Sequence, residues 1–390
     1  MASLISTSRL GAGARWMAVA ARLASVAALL SGAAWVAKPA VAGEVATEQH
    51  QLRVVGGLAG VTQHVRFEIP FWTQELVQLS GGRLTATVHP FDRSGLRGQD
   101  MLQLIRLGVV PFGTALLSLV SGDEPELNAL DLPGLNPDIA TLKRTVDAYR
   151  PHLARVLHER YDVELLGIYT YPAQVIYCRR PFAGLTDLAG LRVRTSSVSQ
   201  SEMFERLGAT PVIVPFAEMV GSMSRGVVDC AVTGTLSGNE IGLTDVTTHM
   251  HTMAISWGLS FFGANSAAWD AIPQDLRDVM RQGIAGLEKR IWAAAEQDTD
   301  NGITCNSGGM VCPSGRAARL AIVPNTPEDD AIRQRIVKEA VLPRWIERCG
   351  PDCADVWDRT LAPVHGIFLA NRPVTVSEGA GRPAVKPVGR

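Results

Sequence analysis

The sequence predicts an α/β protein of two lobes with a cleft between them. Strand and helix patterns alternate in two separate units, one from Gln51 to Leu119 and one from Val163 to Val232. Further on, one helical pattern from Gln274 to Asp300 covers 27 residues. At ~1.5 Å per residue that is about 40 Å, enough to run along both units. Clefts between lobes are where small ligands bind.

In the first unit, QLRVVGG from Gln51 reads as a strand. Val65–Leu79 has helical spacing and stops at Gly81-Gly82, and LTATVH from Leu84 alternates as a strand does. Asp100–Leu107 is a helix stopped by Gly108, and Val109–Leu119 is a buried strand with its exit loop. In the second unit, Val163–Tyr171 and Leu191–Arg194 are strands and Ser199–Leu207 is a helix. Thr210–Val214 is a strand, Phe216–Arg225 a helix ended by Gly226, and Val227–Val232 a strand. In the long helix Leu276, Met280, Ile284, Leu287 and Ile291 recur on one face. A second helix is expected over Pro327–Glu347. The end, 372–390, holds three prolines and almost no large apolar residue, and is expected to be disordered.

The 390 residues are 46% hydrophobic and 19% charged, as in a packed chain. With 37 basic and 38 acidic residues there is no electrostatic footprint of nucleic-acid binding and no polybasic membrane patch. The first 43 residues contain no acid. Arg9, Arg15 and Arg22 precede the apolar run LASVAALLSGAAWV, and Ala40-Val41-Ala42 supplies small residues for cleavage before Gly43. The segment 1–42 is therefore read as an export signal, the apolar run being short for a membrane span. Its loss leaves 33 basic and 38 acidic residues, a net charge of −5.

Six cysteines suit an oxidising compartment. Cys305 and Cys312 are close in sequence, as are Cys349 and Cys353. Two local disulfides are the reading, although four cysteines allow three pairings. Zinc is the rival, poorly served by the C-x6-C spacing. Cys178 and Cys230 lie in separate apolar runs and read as buried free thiols. His249-x-His251 has no evident third metal ligand and reads as surface or loop histidines. The mature chain has no nucleophile elbow, H-E-x-x-H, P-loop or dinucleotide fingerprint, so neither enzyme chemistry nor a cofactor is read from it.

The informative stretch is Asp187–Gly234. Leu191 and Val193 point to one strand face, Arg192 and Arg194 to the other. Arg194 precedes Thr195, Ser196, Ser197 and Ser199, which open a helix. A guanidinium beside a helix start suits a carboxylate; a structural salt bridge suits it equally.

This stretch resembles the DctP-type substrate-binding proteins of TRAP (tripartite ATP-independent periplasmic) transporters. The matching elements are L-x-G-L-R-V-R (Leu188–Arg194), L-G-A-T-P-V (Leu207–Val212), P-F-A-E-M (Pro215–Met219) and G-V-V-D (Gly226–Asp229). Looser matches are M-L-Q-L-I-R-L-G from Met101, L-P-G-L from Leu132, and Asn265 followed by I-P-Q-D-L-R from Ile272.

The resemblance implies the periplasmic binding protein fold: two lobes closing on an organic acid, a long helix crossing both, and delivery to membrane permease subunits. It implies that Arg194 clamps the ligand carboxylate, that Phe216 forms an aromatic wall and that Gln174 is a second polar contact. Thr233 falls where the family carries an asparagine, and Leu116 or Leu117 where sialic-acid binders carry a glutamate. Trp257, with Tyr169, Tyr171 and Phe216, falls near the expected cleft, though each aromatic alone also reads as core. These departures set a less polar or aromatic monocarboxylate beside a sugar acid. Lobe I is expected over 43–171 and 259–300, lobe II over 172–258 and 301–371, with hinges near Tyr171 and Gly258. The expected protein is a periplasmic monomer that binds a small organic acid and no metal. The alternative is an extracytoplasmic binding protein of another transporter or sensor.

Overall fold

The structure is a computed structural model that describes residues 48–309 and 311–369. The expected export signal and C-terminal tail lie outside those residues. Among the described residues eleven strands follow in chain order: β1 (His50–Gly56), β2 (Leu84–Pro90), β3 (Phe112–Leu116), β4 (Val163–Tyr169), β5 (Gln174–Cys178), β6 (Arg192–Thr195), β7 (Thr210–Ile213), β8 (Cys230–Gly234), β9 (His249–Ser256), β10 (Ser260–Asn265) and β11 (Ala321–Val323). They form two sheets, ordered β2-β1-β3-β10-β4 in lobe I and β11-β9-β5-β8-β6-β7 in lobe II.

Both sheets are more mixed than the alternation of strand and helix predicts. The chain crosses from β4 into β5 and returns from β9 into β10. Each arriving strand inserts antiparallel: β10 between β3 and β4, and β5 between β8 and β9. The crossings thereby become central to both sheets. Gly258 lies in the return crossing with φ +64°, where an added Cβ would meet Gln174 Nε2 at 2.7 Å. Asp131 fixes that crossing from lobe I. It accepts the amides of Trp257 (2.9 Å) and Leu259 (3.1 Å).

The long helix runs Gln274–Asn306, 33 residues, six beyond its expected end. Leu276, Met280, Ile284, Leu287 and Ile291 bury against lobe I. Thr299 and Asn306 then hydrogen-bond to Ala173 and Tyr177 of lobe II. Gly302 permits the close approach there, because an added Cβ would meet Thr235 C and Leu236 N at 2.4 Å. A second long helix, Ile139–Tyr161, was not expected from the sequence. Asp138 caps it, accepting the Thr141 amide at 2.7 Å, and Pro151 lies inside it. The expected Pro327–Glu347 helix is broader, running as Pro327–Ile336, a wide-turn segment Val337–Val341 and Leu342–Cys349.

The cysteines require one correction. Cys305–Cys312 and Cys349–Cys353 pair as expected, but Cys178 and Cys230 are also bonded and are not free thiols. The two face each other as partners in the antiparallel β5–β8 ladder, where the facing side chains are close. His249 and His251 lie on β9 rather than in a loop. His251 is fully buried, with Nε2 3.3 Å from Asp329 Oδ2 and Nδ1 accepting the Met253 amide. Among the described residues no group of three His, Cys, Asp or Glu could hold a metal, and no helix is long and apolar enough to cross a membrane.

Candidate functional site

The carboxyl ends of parallel strands in both sheets open onto one cleft of about 510 Å³. Lobe I contributes Leu58 after β1, Phe91 after β2 and Leu116 at the end of β3, with Leu96 and Leu119. Lobe II contributes Gln174 opening β5, Arg194 in β6, Val214 and Phe216 after β7, and Thr233 and Gly234 closing β8. Tyr171, in the crossing between lobes, completes the floor; its hydroxyl accepts the Leu58 amide at 3.2 Å.

Arg194 is 3% exposed. Its strand lies between β8 and β7, and its side chain takes one carbonyl from each flank. Nε donates to Val214 O (2.9 Å) and Nη1 to Val232 O (2.7 Å). A guanidinium carries five N–H groups, so Nη2 is left for a ligand. No described acid pairs with it, which removes the salt-bridge reading. Burial alone pulls its pKa down to about 10, so it stays cationic at neutral pH. A buried cation without an acid is costly, and an anion entering the cleft relieves that cost.

Arg192, on the same strand face, is engaged elsewhere. Its Nε and Nη2 donate to both oxygens of Asp229 (3.0 and 2.9 Å), and that bond holds the Asp229 carboxyl down to about 2.

The hydroxyl run after Arg194 mostly caps its own helix. Ser197 Oγ accepts the Gln200 amide, while Gln200 Oε1 accepts both the amide and the hydroxyl of Ser196. Gln200 Nε2 then donates to Gln174 Oε1 (2.9 Å), which also accepts Ser256 Oγ (2.7 Å). Gln174 is thereby oriented with its Oε1 occupied and its Nε2 available. Gln200 and Ser256 escaped the sequence reading, although Ser197-x-x-Gln200 is a capping-box spacing that could have revealed the first.

Of the other expected site residues, Phe216 and Thr233 line the cleft and Trp257 does not. Trp257 is 3% exposed in the core, its Nε1 donating to Asn136 O at 2.9 Å. Tyr169 is likewise core, packed with Phe262. Leu116, rather than Leu117, faces the cleft. The reading also missed Ser237, whose buried Oγ lines the cleft without a partner.

The sequence profile of the bacterial extracellular solute-binding proteins, family 7 (DctP), matches residues 61–310. A solute-binding protein of Albidiferax ferrireducens is 25% identical over 231 residues, covering 57% of this chain and 67% of that protein. The chain spans only 47% of another curated relative, the 2,3-diketo-L-gulonate-binding periplasmic protein YiaO of Escherichia coli, at 26% identity over 40% of this chain. Among solved structures, a Bordetella pertussis extracytoplasmic solute receptor binding pyroglutamic acid is similar with a TM-score of 0.68 at 23% identity. That match covers 80% of this chain and 99% of the other. A TRAP periplasmic solute-binding protein from Desulfovibrio salexigens with bound orotic acid gives 0.70 at 14% identity, covering 79% and 96%. The overall fold and the profile agree: the chain belongs to family 7 of the bacterial extracellular solute-binding proteins, the DctP-type receptors of TRAP transporters.

Proposed function

We propose that this receptor captures an organic acid by its carboxylate at Arg194 and delivers it to the membrane permease of a TRAP transporter. The observation that carries the reading is a buried guanidinium at the cleft, held by two backbone carbonyls and bonded to no acid among the described residues. The charge-assisted bond it offers is strengthened where water is excluded.

The walls narrow the ligand class. Lobe I lines the cleft with leucines and Phe91, and its Arg97 is already paired with Asp100 through two bonds of 2.8 Å. One cation without an acid partner among the described cleft residues, set against an apolar wall, suits a compact monocarboxylate better than a dicarboxylate or a sugar acid. Gln174 Nε2, Thr233 and Ser237 leave room for one further polar group on its body. Pyroglutamic acid and orotic acid, the ligands of the two solved relatives above, are compact ring acids of this kind.

A thermal-shift screen tests the reading, with pyroglutamate, orotate, succinate and galacturonate as first members. An acid at 100 times its dissociation constant adds roughly 2.7 kcal/mol to stability. The expected result is stabilisation of the wild type by a monocarboxylate and none of Arg194→Ala. Stabilisation by neutral solutes alone, or equally of both proteins, would overturn it.

A further inference from the structure

Outside the residues that line the cleft, a carboxylate of lobe II is held by lobe I. Glu240 ends the short helix Thr235–Glu240, which follows directly from the cleft residues Thr233 and Gly234. Glu240 Oε1 accepts Thr62 Oγ1 at 2.6 Å, and Oε2 accepts the Thr62 amide at 3.3 Å. Thr62 is 2% exposed and lies four residues beyond Leu58, which lines the lobe I wall. It stands at the N-cap of the Gln63–Glu68 helix, where amides lack helical partners.

The Thr235–Glu240 helix is firmly seated at its other end. Thr235 Oγ1 donates to Asp298 O at 3.3 Å, and Gly302 brings the long helix against its backbone. The same helix carries Ser237 to the cleft. A ligand group that engages Ser237 therefore loads an element whose far end is bonded to the opposite lobe.

We propose that Thr62 and Glu240 form a latch between the lobes, a positioning pair that holds the cleft shut and so slows escape of a captured molecule. This rests on the two-lobed receptor reading but not on the identity of its acid.

The surroundings make the latch sensitive to pH. Burial raises the Glu240 carboxyl above the usual carboxylate range, the two Thr62 bonds pull it down, Asp298 on the long helix adds to the rise and Arg66 on the lobe I helix opposes it. Beyond the helix end, Asp245 is already paired with Arg316 at 2.8 Å. In an opened protein Glu240 regains water and its ordinary value. Closing therefore takes up protons. The closed form gains as pH falls through the raised value, and the gain is complete below the ordinary one.

The test uses the ligand-free full chain, so failure of the acid reading leaves it intact. Amide exchange at Thr62 and X-ray scattering are measured for wild type, Glu240→Ala, Thr62→Val and Glu240→Gln, from about pH 8 to about pH 5. Glu240→Ala should speed Thr62 exchange by about ten- to a hundredfold and enlarge the radius of gyration. Thr62→Val, which keeps the shape and loses one bond, should show a smaller change in scattering. Wild type should become more compact as pH falls, and Glu240→Gln, which still accepts a hydrogen bond, should stay compact without that pH response. Unchanged Thr62 exchange and radius in Glu240→Ala, or an undiminished pH response in Glu240→Gln, would overturn the latch.

Discussion

Lobe II brings to the cleft a buried guanidinium, an oriented amide, the hydroxyls of Ser196, Thr233 and Ser237 and the carboxylate of Glu218 beside Val214 and Phe216, whereas lobe I brings chiefly Leu58, Phe91, Leu96, Leu116 and Leu119. The charged groups that lobe I does place there are already engaged: Arg97 with Asp100, and Asp92 with the Ala59 amide at 2.9 Å. Polar contacts fix orientation and apolar contact follows area removed from water. On this account lobe II selects the acid head and lobe I closes over the body. The supports differ in the same sense. The cleft-lining strands β5 and β8 of lobe II are covalently joined by Cys178–Cys230, while the lobe I sheet has no disulfide among the described residues.

Removing the lobe II cation should have the largest effect. Arg194→Ala is expected to weaken acid binding by ~2–5 kcal/mol, roughly thirtyfold to several thousandfold by calorimetry. Arg194→Lys should recover little, since an ammonium cannot hold both carbonyls and a planar carboxylate together. Two carbonyls also lose their donor, so the folded state should be less stable by ~1–3 kcal/mol, read from denaturant unfolding.

Next is the staple behind the same wall. Cys178 and Cys230 are 52 residues apart, against 7 for Cys305–Cys312 and 4 for Cys349–Cys353. Loop entropy then gives ~4, ~2.5 and ~2 kcal/mol in that order. Paired Cys→Ala variants should unfold in the same ranking; equal losses would show that the lobe II staple has no special weight.

The lobe I wall should respond more mildly. Leu96→Ala is expected to cost ~1 kcal/mol, roughly fivefold in affinity, with little preference among acids of similar size. A larger loss for one acid than for its isosteres would give lobe I a selecting role and break the comparison.

Arg192→Ala should change acid affinity least of all. It removes a partner of Asp229, and Arg192 does not line the cleft, so calorimetry should match wild type. Asp229 is held down by that pairing, so its stabilising effect is present above the ordinary carboxylate range and is lost as pH falls toward about 2.

These differences bear on what the sequence can reveal. The place of Arg194 at the cleft was legible because strand alternation sets it opposite Val193, which is fully buried, and because the resemblance over Leu188–Arg194 singles it out from Arg192 on the same face. The long helix was legible because its apolar face repeats without interruption. Trp257 was not, because an aromatic side chain near a crossing strand serves core or cleft equally well until its neighbours are known. Cys178 and Cys230 read as separate because nothing local shows that β5 enters antiparallel beside β8. The Ile139–Tyr161 helix was hidden by Pro151, which removes one helical hydrogen bond. Its buried Leu142, Val146, Tyr149, Leu153 and Val156 nevertheless keep the helical period.

The central claim is that an unpaired buried cation selects a carboxylate. The most direct measurement is calorimetry on wild-type protein with the acid that the thermal-shift screen selects and with its primary amide, which keeps the body and loses the charge. The account predicts that the acid binds and that the amide is at least about thirtyfold weaker. An amide that binds as tightly as the acid would contradict it.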